Sequence, residues 1–343
     1  MEHRRLIHYV LDTVVGVAGA ALSSLVIYLS VTHVRNRALR AYSIMLVSNA
    51  VVDLVYSLNT ICTFASSAFG IQAVFMTVDN PFWPKTVFWT YAAISTNLFL
   101  MFLSVAMLPL QFVYRYGVMR AKPFSKKQMC GFFLISLYFA TIHGFVSPFT
   151  FKPPGPEWEA SFRQALDVNQ DYVLPGYIVG DVRQFDRMAI HFIHIFVIVG
   201  GSYATILVMV WKSRGTVAFR DHDHLSMATR AVQRQVTRII YAQSIYPLFI
   251  MCAPCLCFTI FSAQGIQVRM LGEYAMLSMH TPPLFNSMIV ILCVPSYRRF
   301  FSRPAGADRV QHLNKKLLKA YYGTKVTISH ISRPSLHTVH CQI

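Results

Sequence analysis

Charge is what this chain has least of. Asp, Glu, Lys and Arg make up 13% of its 343 residues, about half the usual share of ~25%. A soluble chain of this length needs more charge than that to cover its surface. Gly and Pro, at 16 each, are too few for a collagen-like or low-complexity chain. Internal repeats are absent, which argues against a transporter built from duplicated halves. There is no Walker loop, no H-E-x-x-H and no G-x-S-x-G, so nothing points to an enzyme or to a bound cofactor. No glycosylation sequon falls in an expected outer segment. Seven cysteines are present, but Cys252, Cys255 and Cys257 share one apolar run without the four ligands of a structural zinc site. They read as packing residues, and no metal is expected.

Apolar residues fill the chain instead. They reach 55%, with 14% aromatic, which excludes disorder for most of the length. Seven runs stand out: Val10 to Val31, Ala41 to Phe64, Thr86 to Val113, Met129 to Phe149, Met188 to Trp211, Ile239 to Phe261, and Tyr274 to Val294. Each has the ~20 residues a helix needs to cross ~30 Å of hydrocarbon. Runs of this length exclude barrel strands, leaving helices as the way to satisfy the backbone in lipid. The expected fold is an all-α membrane protein, a seven-transmembrane-helix bundle over residues 1–300. A basic cytoplasmic tail, partly disordered, follows over 301–343.

Orientation follows the Lys and Arg distribution. The connections after the first, third and fifth runs, together with the tail, hold 23 of these residues, and the other side holds eight. The long segment Phe151 to Arg187 is net acidic, with six acids against four bases. The expectation is an outer N-terminus and a cytosolic C-terminus, although Arg4 and Arg5 precede the first run. Those two residues and Ala18 to Ala21 also admit a cleaved signal peptide, but the run continues to Val31, too long for a signal's apolar core. The net charge of +17 is explained by these flanking clusters, not by nucleic-acid binding. In the tail, Leu313, Leu317 and Tyr321 form a short apolar stripe beside Lys315, Lys316 and Lys319, the pattern of a helix lying on a membrane.

Polar groups inside the runs are costly in lipid and so face protein or water. Asn49 and Asp53, four apart, share one face of the second helix. They make either a node that two packings bond differently or static interhelical hydrogen bonds. Asp53 is the well-buried acid of the chain on this reading. His191 and His194 lie in the outer half of the fifth run, as ligand contacts, a pH sensor or the lining of an outer vestibule. His280 precedes Pro282 and Pro283, which should kink the seventh helix; Pro247 and Pro254 do the same to the sixth. By polarity and depth, Tyr91, Ser95, His191, His194 and His280 are the candidate ligand-binding residues. At the cytosolic rim stand Tyr114-Arg115-Tyr116 and Pro295-Ser296-Tyr297-Arg298, which serve membrane anchoring or a cytosolic partner.

These stretches resemble a known family. The segment from Arg40 to Leu54, Tyr114-Arg115-Tyr116, Gly176-Tyr177-Ile178-Val179-Gly180 and Ser226 to Gln235, with Gln243 and Pro247 beyond, are similar to nematode seven-helix chemoreceptors of the str-type group. The resemblance is greatest to serpentine receptor class delta and runs from the first span to about Phe300. The chain departs from that family in the inserted Ser296 and in having no cysteine near the outer end of the third helix. The resemblance implies a G-protein-coupled receptor in the plasma membrane of sensory neurons, in their cilia. It would bind a small environmental chemical in an outer pocket and contact a heterotrimeric G protein through Arg115 and the third inner loop. Asn49, Asp53, Tyr114, Arg115, Tyr116, Tyr297 and Arg298 are the candidate coupling and switch residues. A seven-helix ligand-gated cation channel and a small-solute transporter are the competing readings.

Overall fold

A computed structural model describes residues 2–32, 37–70, 72–120, 124–219 and 271–294, with scattered positions between 241 and 266 and Tyr297 and Phe300 beyond. The expected sixth span, the third inner loop and the tail stripe fall largely or wholly outside the described residues. The chain divides into two compact units, Met1–Pro295 and Ser296–Ile343; the first contains the spans and the strands.

Six described helices are long and apolar enough to cross a membrane. They are α1 (Glu2–Thr32), α2 (Arg37–Thr63), α3 (Val87–Met119), α4 (Lys126–Val146), α6 (Phe185–Phe219) and the pair α7 (Leu271–His280) and α8 (Pro282–Cys293). Each coincides with an expected run; all begin within a few residues of it, except that α1 starts eight earlier, and α4 is shifted three residues toward the amino end. The seventh run is divided where the prolines stand: α7 ends at His280 and α8 begins at Pro282, while Thr281 between them keeps right-handed helical backbone angles, φ −79° and ψ −21°. In the sixth, Leu248–Cys252 forms a π turn, a common cause of helix kinks.

The most deeply packed span is α3, 72% buried in its apolar window against 17% for that of α6. It packs on α2, α4 and α6, while α1 packs on α2, α7 and α8. Pro109 lies inside α3 and cannot donate to the preceding turn. Beside that gap, Ser136 Oγ of α4 donates to the Ala106 carbonyl at 2.8 Å.

Between the spans the chain builds a cap that the run lengths did not announce. Strands β1 (Ala65–Gly70), β2 (Ala73–Val78) and β3 (Gly176–Asp181) form an antiparallel sheet in the order β1-β2-β3. Ala65 pairs with Val78, and Met76 with Ile178. Lys152 bridges the free edge of β3 at Val179. Side chains alternate across the sheet. Met76, Val78 and Ile178 enter the core of the helix bundle. Phe75, Tyr177 and Val179 turn away and pack on Trp158 and Phe162 of α5 (Pro156–Leu166). Thus the sheet is buried on both faces, between bundle and α5. The short helix α5 starts at Pro156 with Glu157 and Glu159 in its first turn, and Asp167 closes it in the left-handed region at φ 56°. Proline at the first helical position and acids near the amino end both favour initiation.

The cap is fastened without a disulfide to the third helix. Tyr91 Oη donates to the Phe151 carbonyl at 2.9 Å. Asp181, 4% exposed, accepts from Lys152 Nζ at 2.9 Å and from Arg183 Nε at 2.9 Å. The Arg183 guanidinium also lies 4.7 Å from the centre of the Trp158 ring. Burial alone would raise the Asp181 carboxyl, but hydrogen bonds from Arg183 and Lys152 hold it below the ordinary value.

Candidate functional site

Directly beneath the sheet lies a cavity of about 40 Å³. The sheet contributes Ser67 and Met76 to its wall. Helix α3 adds Leu98, Met101 and Phe102, α6 adds His191, Phe192 and Ile195, and α7 adds Ala275, Met276 and Met279. Among the described residues, the wall carries no carboxylate, ammonium or guanidinium. Ser67 is already engaged, donating to the Gly272 carbonyl at 3.0 Å, which leaves His191 as the distinctive polar group of an apolar, methionine-rich chamber. Methionine is unbranched and polarisable, so such a wall repacks at low cost. The chamber as it stands holds only a few waters.

Of the five residues singled out for ligand contact, His191 lines this cavity. His194 lies one turn along α6, half-buried, with its ring 6.1 Å from that of His143. Tyr91 is engaged in fastening the cap. Ser95 is on the α4 side of α3, where its carbonyl approaches Gly144. His280 adjoins the lining residue Met279 but is turned to α1: its Nδ1 is 3.0 Å from Asp12 Oδ1.

That contact corrects the inventory of buried acids. Asp53 is not alone, because Asp12 of α1 has 0% exposure. His8 Nδ1 lies 3.3 Å from its other oxygen, so one carboxylate sits between two imidazoles. The sequence signal was available, since His8 and Asp12 are four apart on a helix. An acid so near the start of a run reads as a boundary charge instead.

Asp53 is the centre of a second polar node. Asn286 Nδ2 of α8 donates to Oδ2 at 3.3 Å, and Ser104 Oγ of α3 lies 3.4 Å from Oδ1. Asn49 is half-buried one turn away and takes no part in these two bonds. Ser23 and Ser287 hydroxyls meet at 2.9 Å, and Tyr246 bonds Thr281 at 2.5 Å. The divided seventh span is therefore tied through side chains to α1, α2 and the sixth span, and through Asp53 to α3, on either side of Thr281.

At the opposite end of α3, Tyr114 and Tyr116 are half-buried. Arg120 stacks on Tyr116 with its guanidinium 5.5 Å from the ring centre. The Arg115 side chain and all of Arg298 lie outside the described residues. Tyr297 belongs to the second unit and is buried. No group of His, Cys, Asp and Glu among the described residues is arranged to hold a metal ion.

A bundle of apolar spans with a proline-divided last helix and a capped chamber at one end is the architecture of a seven-helix receptor. The chain is similar to squid rhodopsin in its crystal structure, with a TM-score of 0.61, over 86% of this chain and 84% of that one, at 13% identity. That likeness speaks to the fold. Comparison with curated proteins gave no match. Residues 8–302 match the family of serpentine type 7TM GPCR chemoreceptors, Str. The chain belongs to that family, and is accordingly a chemosensory receptor of the G-protein-coupled kind.

Proposed function

We propose that this receptor detects a small, uncharged, largely apolar chemical in the chamber between α3, α6, α7 and the sheet. The observation that carries this reading is the chamber itself. It is methionine-rich, free of charged side chains among the described residues, and has His191 in its wall. A ligand that binds one packing of the bundle more tightly shifts the population toward it, by no more than its differential affinity. The α7–α8 break supplies a hinge between the chamber and the Asp53 node. Within the family we assign the chain to serpentine receptor class delta, on the stretches Gly176 to Gly180 and Ser226 to Gln235. The cap end faces outward and the receptor resides in the plasma membrane, at sensory cilia. Its cytosolic face engages a heterotrimeric G protein through Tyr114, Arg115 and Tyr116, with Tyr297 and Arg298 serving the same coupling.

The test is a screen of small volatile and water-soluble chemicals on cells expressing the full chain, with G-protein activation as readout. An active compound should lose its effect in Arg115→Ala while still binding the variant with near-unchanged affinity. Unchanged signalling at equal surface level would make Arg115 an anchoring residue only.

A further inference from the structure

Behind His191 lies a polar cluster that the cavity wall hides. His143 of α4 is fully buried. Its ring stacks on that of His191 with centres 5.1 Å apart and planes 30° apart, and it meets the edge of Phe102 at 4.2 Å. Both His191 and Phe102 line the chamber. The His194 ring completes the cluster from α6 at 6.1 Å. Yet among the described residues neither ring nitrogen of His143 has a hydrogen-bond partner, and Nδ1 of His194 has none either.

This arrangement is expensive as it stands. A neutral imidazole offers one donor and one acceptor, and stacked rings cannot bond each other, because their lone pairs and N–H bonds lie in the ring planes. Leaving a buried donor or acceptor unmade costs ~1–3 kcal/mol. A leucine or phenylalanine at position 143 would fill the same space without that cost. Buried orphan groups in a native protein ask for a partner that is not part of the chain.

We propose that His143, with His191 and His194, forms the head-group subsite of the chamber. It receives the uncharged hydrogen-bonding group of a ligand whose apolar remainder lies among Met76, Met101 and Met276. His143 determines specificity from one layer back, reached when the His191 and Phe102 rings turn aside, a movement the adaptable methionine wall permits. This subsite deepens the receptor reading and rests on it. It also selects the ligand class: one carbonyl or hydroxyl on a small hydrocarbon frame, because a charged head group would find no opposite charge among the described lining residues.

The experiment uses membranes from cells expressing the full chain at matched surface level. The probes are 2-alkanones and 1-alkanols of about four to eight carbons, with n-alkanes of equal length. Nucleotide exchange on a G protein is the readout, with basal exchange measured in the same membranes without probe. The wild-type chain should respond to oxygenated probes well before alkanes. His143→Phe keeps ring and bulk but loses both nitrogens. It should lower potency toward the oxygenated probes at least ten-fold and leave alkanes little affected, collapsing the discrimination. His143→Gln, which retains a donor and an acceptor, should preserve much of it. Should His143→Phe fail to reach the surface, His194→Leu provides the same comparison. An unchanged ratio, or an equal loss across all three probe classes, overturns the subsite. So does a wild-type chain with clear basal exchange that ignores the whole panel. Absence of both basal and stimulated exchange counts against the receptor reading beneath it.

Discussion

Two buried acids show how differently single residues declare themselves. Asp53 was legible because it stands in the middle of an apolar run, where a charge is costly wherever it points. Asp12 was less so: its spacing from His8 was visible, but its other partner, His280, is 268 positions away. Only folding brings the two together. Removing one member of a buried hydrogen-bonded pair strands the other, at a cost of ~1–3 kcal/mol, whereas replacing both with apolar groups is far cheaper. Asp12→Ala should therefore lower the thermal stability of the detergent-solubilised receptor sharply. Adding His280→Phe should restore much of the loss, and additive losses in the two variants would show that the contact is incidental. At the cap, Asp181 gives a pH-dependent counterpart. Its carboxyl is held below the usual 3.8, so the stabilisation it gives is fully present above that value. The stabilisation disappears as pH falls through the depressed folded value. Hydrogen exchange of the β3 amides should thus stay slow down to about pH 4 and accelerate below it. In Asp181→Asn, the acid-dependent step should vanish, with β3 exchange faster at neutral pH already.

At the level of elements, the helices could be read in advance and the sheet could not, for a physical reason. A span must satisfy its own backbone in lipid, so its length and apolarity are written locally. The strands escape that constraint. Ala65–Gly70 is made mostly of small residues buried on both faces, and such a segment shows no polar alternation. The pairing of β2 with β3 joins positions about a hundred residues apart. The absence of cysteine near the third helix suggested what the cap lacks without revealing what replaces it. One glycine records how closely cap and bundle fit. A Cβ on Gly272 of α7 would lie 2.2 Å from the Ser67 carbonyl oxygen and 2.7 Å from its carbon. These are backbone atoms of β1 and cannot swing away. Gly272→Ala should force α7 from the sheet, lower the melting temperature by several degrees and weaken agonist response, because Ala275, Met276 and Met279 move with that helix. Gly201→Ala is the control: nothing lies within 4 Å of its added carbon. It should be neutral or stabilise by up to ~1 kcal/mol through helix propensity alone. Equal melting temperatures in both variants would mean that the close approach of α7 and β1 carries no weight in stability.

For the molecule as a whole, the chamber's position matters only if the cap end faces the environment. Charge decides which way it faces. Lys and Arg in short connections stay on the cytosolic side of a membrane during insertion, and here 23 of them stand against eight. The fold adds an independent consideration, because the cap uses its few charges in pairs. Lys152 and Arg183 are both spent on Asp181, and Arg163 on Glu159. Those pairs offset three of the eight basic residues on that side. By contrast, five basic residues at the other end, from Arg115 to Lys127, are crowded into one short connection. An epitope placed before Ile7 should therefore be accessible to antibody on intact cells, and one placed after Ile343 only after permeabilisation. Neutralising Lys126 and Lys127 should weaken this preference only slightly, since the bias is spread over three connections and the tail. The reverse accessibility pattern would put the chamber on the cytosolic side, and with it would fall both the assignment of an environmental ligand and the role given to Arg115.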